Sequence, residues 1–297
     1  MANNFKCYLC EREEFERVEG KVRDIPEMAI LRCKNCGLIS LEKFDHISSS
    51  FYEDSKMLTV NPAADPMLVW QDSLSKCLVD DRRRAEWLKE VIKNKRVLDF
   101  GCGAGGMLLC IKDLVSKCEG VEKDNRFREI LQQKTNIKLY ADLNEIEDTY
   151  DVITLFHVLE HLANPREVLG ALSKFLNHAG SIIIEVPNVD DALLSLYRSK
   201  AFSEFTFWGP HLYLYNNSTL SRLFGAAGFK INFIRQIQRY SLANHLFWLS
   251  QGKPGGHMLW DFMNDPDLNK AYEKKLAELE KCDTIIASIS KKDGGGT

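Results

Sequence analysis

The sequence predicts an α/β fold in which a doubly wound parallel sheet follows a small N-terminal module. Three observations carry this prediction. An apolar run at 97–98 leads into a glycine cluster at 101–106, which is typical of a buried strand that turns sharply into a helix. From there, apolar strand-like runs alternate with helical patterns up to residue 235. Two Cys-x-x-Cys pairs precede this alternation and lie outside it.

Composition bounds the size and class of the protein. The chain has 297 residues, of which 45% are hydrophobic and 27% are charged, enough for one large domain with an appendage. The net charge of −3 disfavours a nucleic-acid partner, because such binders usually carry a basic excess. No apolar run approaches the ~20 residues needed to cross a bilayer, and the first residues lack a signal-peptide apolar region. We therefore expect a cytoplasmic protein without a membrane partner.

The four N-terminal cysteines predict a structural zinc site. Cys7 and Cys10 form one pair, and Cys33 and Cys36 form a second at a spacing close to that of four-cysteine zinc sites. A metal with four protein ligands keeps no open position, so this Zn²⁺ would be structural. Two unrelated pairs of reduced cysteines are the alternative.

Changes in composition divide the chain. We assign residues 1–45 to a zinc ribbon, 46–79 to a linker and helical lead-in, and 80–297 to the main domain. Within the main domain, the aromatic-rich stretch 189–215 is interpreted as a lid or pocket wall, with the core of a small subdomain as the alternative. Residues 239–280 are an insertion whose glycine-rich loop either closes over a phosphorylated ligand or only forms turns.

A helix is expected to begin at Asp80 and to open the main domain. Its apolar stripe consists of Trp87, Leu88, Val91 and Ile92. The basic run Arg82–Arg84 lies on its first turns and is interpreted as a solvated face. It is also the basic run that merits a test for phosphate contact.

Acidic residues end the next two predicted strands. The strand at 118–122 ends in Glu122, and the strand at 137–142 ends in Asp142. In nucleotide-binding α/β folds, an acid at the tip of the second strand accepts hydrogen bonds from both ribose hydroxyls. Asp142 could accept a hydrogen bond from an adenine amino group.

The fourth predicted strand, Tyr150–Phe156, runs into His157, Glu160 and His161. The remaining expected features are an N-cap at Asn164 with Pro165 next, a helix stop at Gly180, a strand at 181–188, a helix starting at Asn217 or Ser218, a strand at 229–235, a helix at 269–281 and a last strand at 283–290.

At this point the chain resembles the class I S-adenosylmethionine-dependent methyltransferases. The resemblance covers roughly residues 80–240. The carrying motifs are Val97–Gly105, Gly120–Glu122, Ala141–Asp142, Asp151–His161 and Gly228–Phe229. It implies a Rossmann-like seven-stranded sheet and S-adenosyl-L-methionine as cofactor. The cysteine-rich N-terminal segment, followed by Phe51–Tyr52, is similar to that of a methyltransferase subgroup with a zinc ribbon. Many members of this subgroup act in sugar pathways. The chain is shorter than the sugar C-methyltransferases of that subgroup.

The resemblance also implies roles for individual residues. Glu122 would bind the ribose, Asp142 the adenine, and Phe156 and His157 would flank the sulfonium. The methionine end would lie against the turn after the first strand of the main domain, at Asp99, Gly101, Cys102, Gly103 and Gly105.

Four residues are candidates for removing a proton from the acceptor. His161 is the first choice because imidazole titrates near neutrality, and His157, Glu160 and His211 follow. The block also resembles the Glu-x-x-Glu-His metal motif of ubiquinone-pathway and small-RNA 2′-O-methyltransferases. A histidine at 157 disfavours Mg²⁺, which prefers oxygen ligands, and leaves a softer ion on these four residues as an alternative. Glu160 and His161 could instead only orient the loop.

The favoured function is methyl transfer to a small-molecule acceptor, an oxygen of a sugar or nucleotide-sugar. An RNA methyltransferase that docks through the zinc ribbon is the second hypothesis. A non-enzymatic binding protein that keeps the fold is the third. The sequence does not specify the oligomeric state.

Overall fold

A computed structural model describes residues 5–48, 50–53 and 64–292. Its strands are β1 (Phe15–Arg17), β2 (Ile30–Cys33), β3 (Ile39–Leu41), β4 (Arg96–Phe100), β5 (Lys117–Val121), β6 (Lys138–Tyr140), β7 (Tyr150–Phe156), β8 (Leu176–Pro187), β9 (Tyr213–Leu214), β10 (Phe229–Ile237) and β11 (Thr284–Lys291). Its helices are α1 (Pro66–Ile92), α2 (Gly106–Ile111), α3 (Asn125–Thr135), α4 (Pro165–Ser173), α5 (Ala192–Ser195), α6 (Lys200–Ser203), α7 (Asn217–Ala226), α8 (Leu242–Gln251), α9 (Gly256–Leu259) and α10 (Pro266–Glu278).

The central sheet has seven strands in the order β6-β5-β4-β7-β8-β11-β10. Strand β11 is antiparallel to both of its neighbours, and the other neighbouring pairs are parallel. The predicted doubly wound, seven-stranded α/β fold is therefore confirmed. The parallel strands are apolar through their centres because both faces of the sheet are covered. The carboxyl ends of β4 to β7 meet at one edge, where ligands bind in such folds.

A second sheet joins the N-terminal module to the main domain. Its order is β1-β2-β3-β9, and all its pairs are antiparallel. Strand β9 belongs to the aromatic-rich segment 189–215, and its Leu214 pairs with Ile39 of β3. Val22 and Phe207 are buried in one apolar cluster between the two parts. The N-terminal module and this segment are thus built on one continuous sheet.

Helix α1 starts at Pro66, so the expected start at Asp80 is wrong. The Asp65 carboxylate accepts a hydrogen bond from the Met67 backbone N–H at 2.8 Å, and Pro66 occupies the first helical position. The proline and aspartate that suggested a linker are thus the start signals of the helix. The expected linker residues 49 and 54–63 lie outside the described part of the chain.

The buried face of α1 differs from the predicted stripe. Leu88 and Ile92 are buried as expected, but Trp87 and Val91 are 40% and 46% exposed. Asp81 and Arg84 take their place on the inner face, and Arg84 is only 6% exposed. The basic run is therefore a solvated face only at Arg82, because the guanidinium groups of the next two residues turn inward.

The partner of these arginines is Glu185, a fully buried carboxylate on β8. Arg83 donates to it at 2.9 Å and Arg84 at 2.7 Å. Arg84 also pairs with Asp81 at 2.8 Å. A buried carboxylate is retained only when charge and hydrogen-bond partners compensate its desolvation. The inward-facing arginines fulfil this requirement.

Replacing Arg84 with methionine should destabilise the protein by about 3 kcal/mol, because it removes one partner from a buried carboxylate. The free energy of unfolding would be measured by urea titration. Arg82→Met is the matched control on the exposed side of the helix and should change it by less than about 0.5 kcal/mol. Equal effects of the two substitutions would show that Glu185 does not depend on Arg84.

Two smaller boundaries also differ from expectation, those of α4 and α10, whereas α7 starts at Asn217, one of its two predicted positions. Helix α4 ends at Ser173, and Gly180 lies within β8 instead of ending the helical unit. Helix α7 is capped by Asn216, whose side chain accepts from the Thr219 N–H at 2.9 Å. Helix α10 spans Pro266–Glu278, shifted from the expected 269–281.

None of the helices in the ranges 5–48, 50–53 and 64–292 combines the length and apolar character needed to span a bilayer.

Candidate active site

The turn between β4 and α2 places three glycines at the carboxyl edge of the sheet. Gly101, Gly103 and Gly105 have φ angles of 75°, 52° and 78°, in the left-handed region that favours glycine. A Cβ on Gly101 would lie 2.5 Å from Val158, and one on Gly105 would lie 2.2 Å from Leu131. A Cβ on Gly103 would meet no atom of the described residues within 4 Å. The backbone is therefore open to a ligand at Gly103.

The two predicted acids lie at the same edge. Glu122 follows β5 directly, and its carboxylate accepts a hydrogen bond from the Gly103 N–H at 2.7 Å. Burial raises the pKa of Glu122. Asp142 follows β6 and accepts from the Asn144 N–H and from Lys123 Nζ, both at 3.0 Å. Glu122 thus touches the glycine turn itself, whereas Asp142 caps the short turn that follows its strand.

Three other predicted residues near this edge of the sheet have inward-facing side chains: Asp99, Cys102 and Phe156. Asp99 accepts a hydrogen bond from Thr154 Oγ1 at 2.6 Å, and burial raises its pKa to about 7. The Cys102 thiol is buried in the apolar cluster behind the turn, so only its backbone faces outward. The Phe156 ring lies 4.8 Å from the Arg84 guanidinium.

His157 directly follows β7 and has a φ of 55°, a conformation that is uncommon for residues other than glycine. Its backbone N–H donates to the Glu185 carbonyl at 2.8 Å. Nδ1 lies 3.1 Å from Glu160 Oε1, and Nε2 lies 2.9 Å from Arg239 Nη1. Since a guanidinium only donates, Nε2 accepts and Nδ1–H donates to the carboxylate. Both ring nitrogens are engaged, so His157 connects its neighbours and is not free to act as a base.

Glu160, His161 and His211 form a cluster, with their potential ligand atoms within 4.8 Å of one another. Glu160 is 1% exposed, and its Oε2 has no hydrogen-bond partner among the described residues. His161 Nδ1 donates to the Pro210 carbonyl at 3.0 Å, which leaves Nε2 unprotonated. With His157 at 3.1 Å from Glu160, the structure thus brings together all four candidates for proton removal, although His211 lies far away in the sequence.

The electrostatics of the cluster keep its imidazoles neutral and its carboxylate charged. Burial alone would raise the pKa of Glu160, but the hydrogen bond from His157 and the nearby imidazoles lower it to about 2. Burial lowers the pKa of His161 below its ordinary value, and it lowers that of His211 to about 3. Neutral imidazole is the form that accepts a proton or binds a metal ion.

The loop that carries His211 is held by the N-terminal module. The Gly209 N–H donates to Asp24 Oδ1 at 2.8 Å, and its carbonyl accepts from His46 Nε2 at 2.8 Å. Tyr52 covers the neighbouring His161, with its hydroxyl 3.3 Å from the His161 carbonyl oxygen. Asp24 and His46 were not among the predicted site residues. No spacing pattern marks them, because they act on a loop that is distant in the sequence.

A cavity of about 290 Å³ opens beside His157 and His211. The N-terminal module contributes Arg23 to its wall, the segment 189–215 contributes Phe205, and the insertion contributes His257 among other residues. The segment 189–215 also supplies buried core residues such as Phe207. It therefore serves both as pocket wall and as packing, the two alternatives that its composition left open.

The four N-terminal cysteines converge. The Sγ atoms of Cys7 and Cys36 are 3.4 Å apart, those of Cys10 and Cys33 are 3.5 Å apart, and all four lie within 4.8 Å of one another. Zn–S bonds of ~2.3 Å in a tetrahedron place sulfur atoms ~3.8 Å apart, so the spacing fits one tetrahedral metal ion. Gly37 has a φ of 80° and its N–H donates to the Cys33 carbonyl, which closes the second turn.

The sequence is similar to known methyltransferases over more than half of its length. Residues 72–232 match the family described as "Methyltransferase domain". A ubiquinone biosynthesis O-methyltransferase from Hydrogenovibrio crunogenus is 21% identical, over 72% of this chain and 91% of that protein. The corresponding protein from Dechloromonas aromatica is 28% identical over 35% of this chain. The chain spans about half the length of that protein and of several other curated relatives that it matches.

Solved structures share the fold. An S-adenosylmethionine-dependent methyltransferase from Archaeoglobus fulgidus has a TM-score of 0.50 at 19% identity, over 76% of this chain and all of that one. Mitomycin 7-O-methyltransferase has a TM-score of 0.50 at 14% identity, over 84% of this chain and 62% of that one. The family match covers more than half of the 297 residues. The chain therefore belongs to the methyltransferase domain family and contains a domain of the class I S-adenosylmethionine-dependent type.

Proposed function

We propose that this protein methylates a hydroxyl oxygen of a small molecule, a sugar or nucleotide-sugar. The neutral His161 beside a charged Glu160 carries the proposal, because a hydroxyl acceptor must lose a proton during methyl transfer. The cavity next to this cluster supports it further. Polar side chains such as Asn188 and Asn244 alternate there with aromatic rings such as Trp248, a mixture suited to a ligand with hydroxyls and apolar ring faces.

The proposed mechanism assigns a task to each part of the site. When bound, S-adenosylmethionine would supply the electrophilic methyl group, and its sulfur would keep the electron pair of the broken S–C bond and leave as a neutral thioether. His161 Nε2 takes the proton of the acceptor hydroxyl as its oxygen forms the new bond to carbon. Glu160 stabilises the imidazolium that results, and the Pro210 carbonyl holds the ring through Nδ1–H. His211 lies across the ring of His161 and borders the cavity, so it limits where the hydroxyl can lie.

The cofactor would lie on the glycine turn. We assign its methionine end to the backbone at 101–105, with Gly103 as the point of closest approach and Asp99 beneath the turn. Glu122 would bind the ribose and Asp142 the adenine. Phe156 and His157 would border the sulfonium. The packing of the Cys102 thiol behind the turn restricts its role to backbone contact.

We also propose that the four-cysteine cluster binds structural Zn²⁺. The sulfur spacing supports a tetrahedral site with no position left for a substrate. Loss of this metal would also disturb the catalytic cluster, because Asp24 and His46 of the same module hold the loop before His211.

Cys33→Ser should therefore lose about one equivalent of zinc per chain and lower both the melting temperature and turnover. Metal content would be measured by elemental analysis alongside a thermal melt. Cys77→Ser is the control, because Cys77 is exposed on α1 and should change none of the three quantities. Full metal retention in Cys33→Ser would refute the four-thiolate site.

A softer divalent ion on Glu160, His161 and His211 is the second candidate arrangement. The buried Glu160 Oε2 without a partner favours it, since a metal would complete its interactions. His157, the fourth residue of the predicted set, has both ring nitrogens occupied. A metal ion at this cluster would appear as a second equivalent of bound metal per chain. His211→Ala should lose this equivalent, and Cys77→Ser should retain it. A single equivalent in the wild type that Cys33→Ser removes would exclude it.

Transfer of labelled methyl from S-adenosylmethionine into a fractionated extract tests the proposed acceptor. We expect label in the nucleotide-sugar fraction. Label in RNA would support the alternative in which the N-terminal module docks on RNA. The net charge of −3 disfavours this alternative. Label in neither fraction would contradict both acceptors.

A further inference from the structure

Arg23 reaches the acceptor cavity from outside the methyltransferase domain. It lies on the loop between β1 and β2, and its backbone N–H donates to the Phe207 carbonyl at 3.0 Å. Its guanidinium lies 5.1 Å from the ring centre of Phe205 and 4.8 Å from that of Trp208. Two aromatic rings thus flank the guanidinium of this exposed residue, at the wall of the cavity that His211 also lines.

The guanidinium of Arg23 has no ion pair with the described residues, and its side-chain N–H groups have no acceptor among them. The cavity's other arginine differs in this respect. Arg239 donates to Asp80 through Nε at 3.0 Å and to His157 through Nη1. A guanidinium carries five N–H donors suited to carboxylate and phosphate. Arg23 therefore offers the cavity a cation whose donors are not already consumed.

The acids on the cavity wall do not compete for this cation. Asp283 accepts hydrogen bonds from the backbone N–H groups of Arg239 and Tyr240, at 3.1 and 3.0 Å. Asp191 accepts from the Leu193 N–H at 2.7 Å. Both carboxylates are thus turned toward the backbone of the walls.

We propose that Arg23 binds an anionic group of the acceptor, a phosphate or a carboxylate, at the wall of the cavity beside Phe205 and Trp208. This inference rests on the proposed function, in which His161 accepts the proton of the same molecule. It makes the N-terminal module part of the acceptor site, with one bidentate contact anchoring the anion while the hydroxyl lies at the catalytic cluster.

The test measures anion binding without methyl transfer. The wild-type protein is titrated calorimetrically at low salt with inorganic pyrophosphate and, separately, with succinate. We expect saturable binding of one of the two, which distinguishes a phosphate from a carboxylate. Arg23→Gln should weaken that binding at least about tenfold, since charge-assisted hydrogen bonds contribute about 1.5–3 kcal/mol. Arg17→Gln is the control, because Arg17 is exposed on β1 and does not line the cavity.

Arg23→Lys keeps the positive charge but loses the planar guanidinium with its paired N–H donors, so we expect an intermediate affinity for the anion. This variant replaces Arg23→Gln in the test if Arg23→Gln lowers the melting temperature. Equal affinity in wild type and both Arg23 variants would overturn the proposal, as would no saturable binding of either anion. These outcomes are independent of whether methyl is transferred. Failure of the anion site therefore remains distinguishable from failure of the proposed acceptor chemistry.

Discussion

Replacing Gly103 with arginine should abolish S-adenosylmethionine binding and leave the protein folded. A side chain at this position projects into open space, because a Cβ would meet no described atom within 4 Å. The φ of 52° costs a non-glycine residue only about 1–2 kcal/mol, which a domain of this size tolerates. Cofactor affinity would be measured by calorimetry, and folding by circular dichroism and a thermal melt.

Gly105→Ala is the contrasting variant. Its Cβ would lie 2.2 Å from Leu131, so we expect loss of stability and not a selective loss of binding. The pair separates a ligand-facing glycine from a packing glycine within one turn. Unchanged affinity in Gly103→Arg would place the cofactor elsewhere.

His161→Ala should lower turnover by about 10²–10⁴-fold while cofactor affinity stays nearly constant. The reason is the loss of the unprotonated Nε2 beside Glu160. Turnover and cofactor affinity would be measured in parallel. His178→Ala is the control, because His178 is an exposed residue on β8. Equal turnover in wild type and His161→Ala would remove His161 from the mechanism.

The pH dependence of kcat/KM tests the role of His161 as the base in a second way. His161 must be neutral to accept a proton, and burial lowers its pKa below the ordinary value of about 6.5. Its base form therefore persists as the pH falls, and the acid limb of kcat/KM should lie below about pH 6.5. An acid limb above that value would identify a different base.

Local patterns were sufficient to predict the central sheet. The apolar run of Tyr150–Phe156 matches β7, and the acids at 122 and 142 lie at the ends of their strands. The start of α1 was missed because Asp65 and Pro66 occur in linkers as well as at helix starts. The inward orientation of Arg84 was missed because its partner, Glu185, is distant in the sequence and apolar periodicity does not register a buried ion pair.

The sequence predicted only those parts of the candidate site whose residues are neighbours along the chain. Glu160 and His161 are adjacent and follow a recognisable strand, whereas Asp24 acts on Gly209 across 185 residues of sequence. Arg239 was noted as part of the insertion, but its contact with His157 spans 82 residues and has no sequence signature. Contacts of this kind depend on tertiary packing, which no short-range pattern encodes.

The pairing of β3 with β9 also constrains the order of folding. The fourth strand of the N-terminal sheet is synthesised only after β4 to β8 of the central sheet. Closing so long a loop is entropically costly, and such non-local pairings form late. During synthesis the N-terminal module then has only three strands of three or four residues each, and so small an apolar core usually needs a metal or a disulfide for stability. We expect metal binding by the four cysteines to preserve its shape until the last strand arrives.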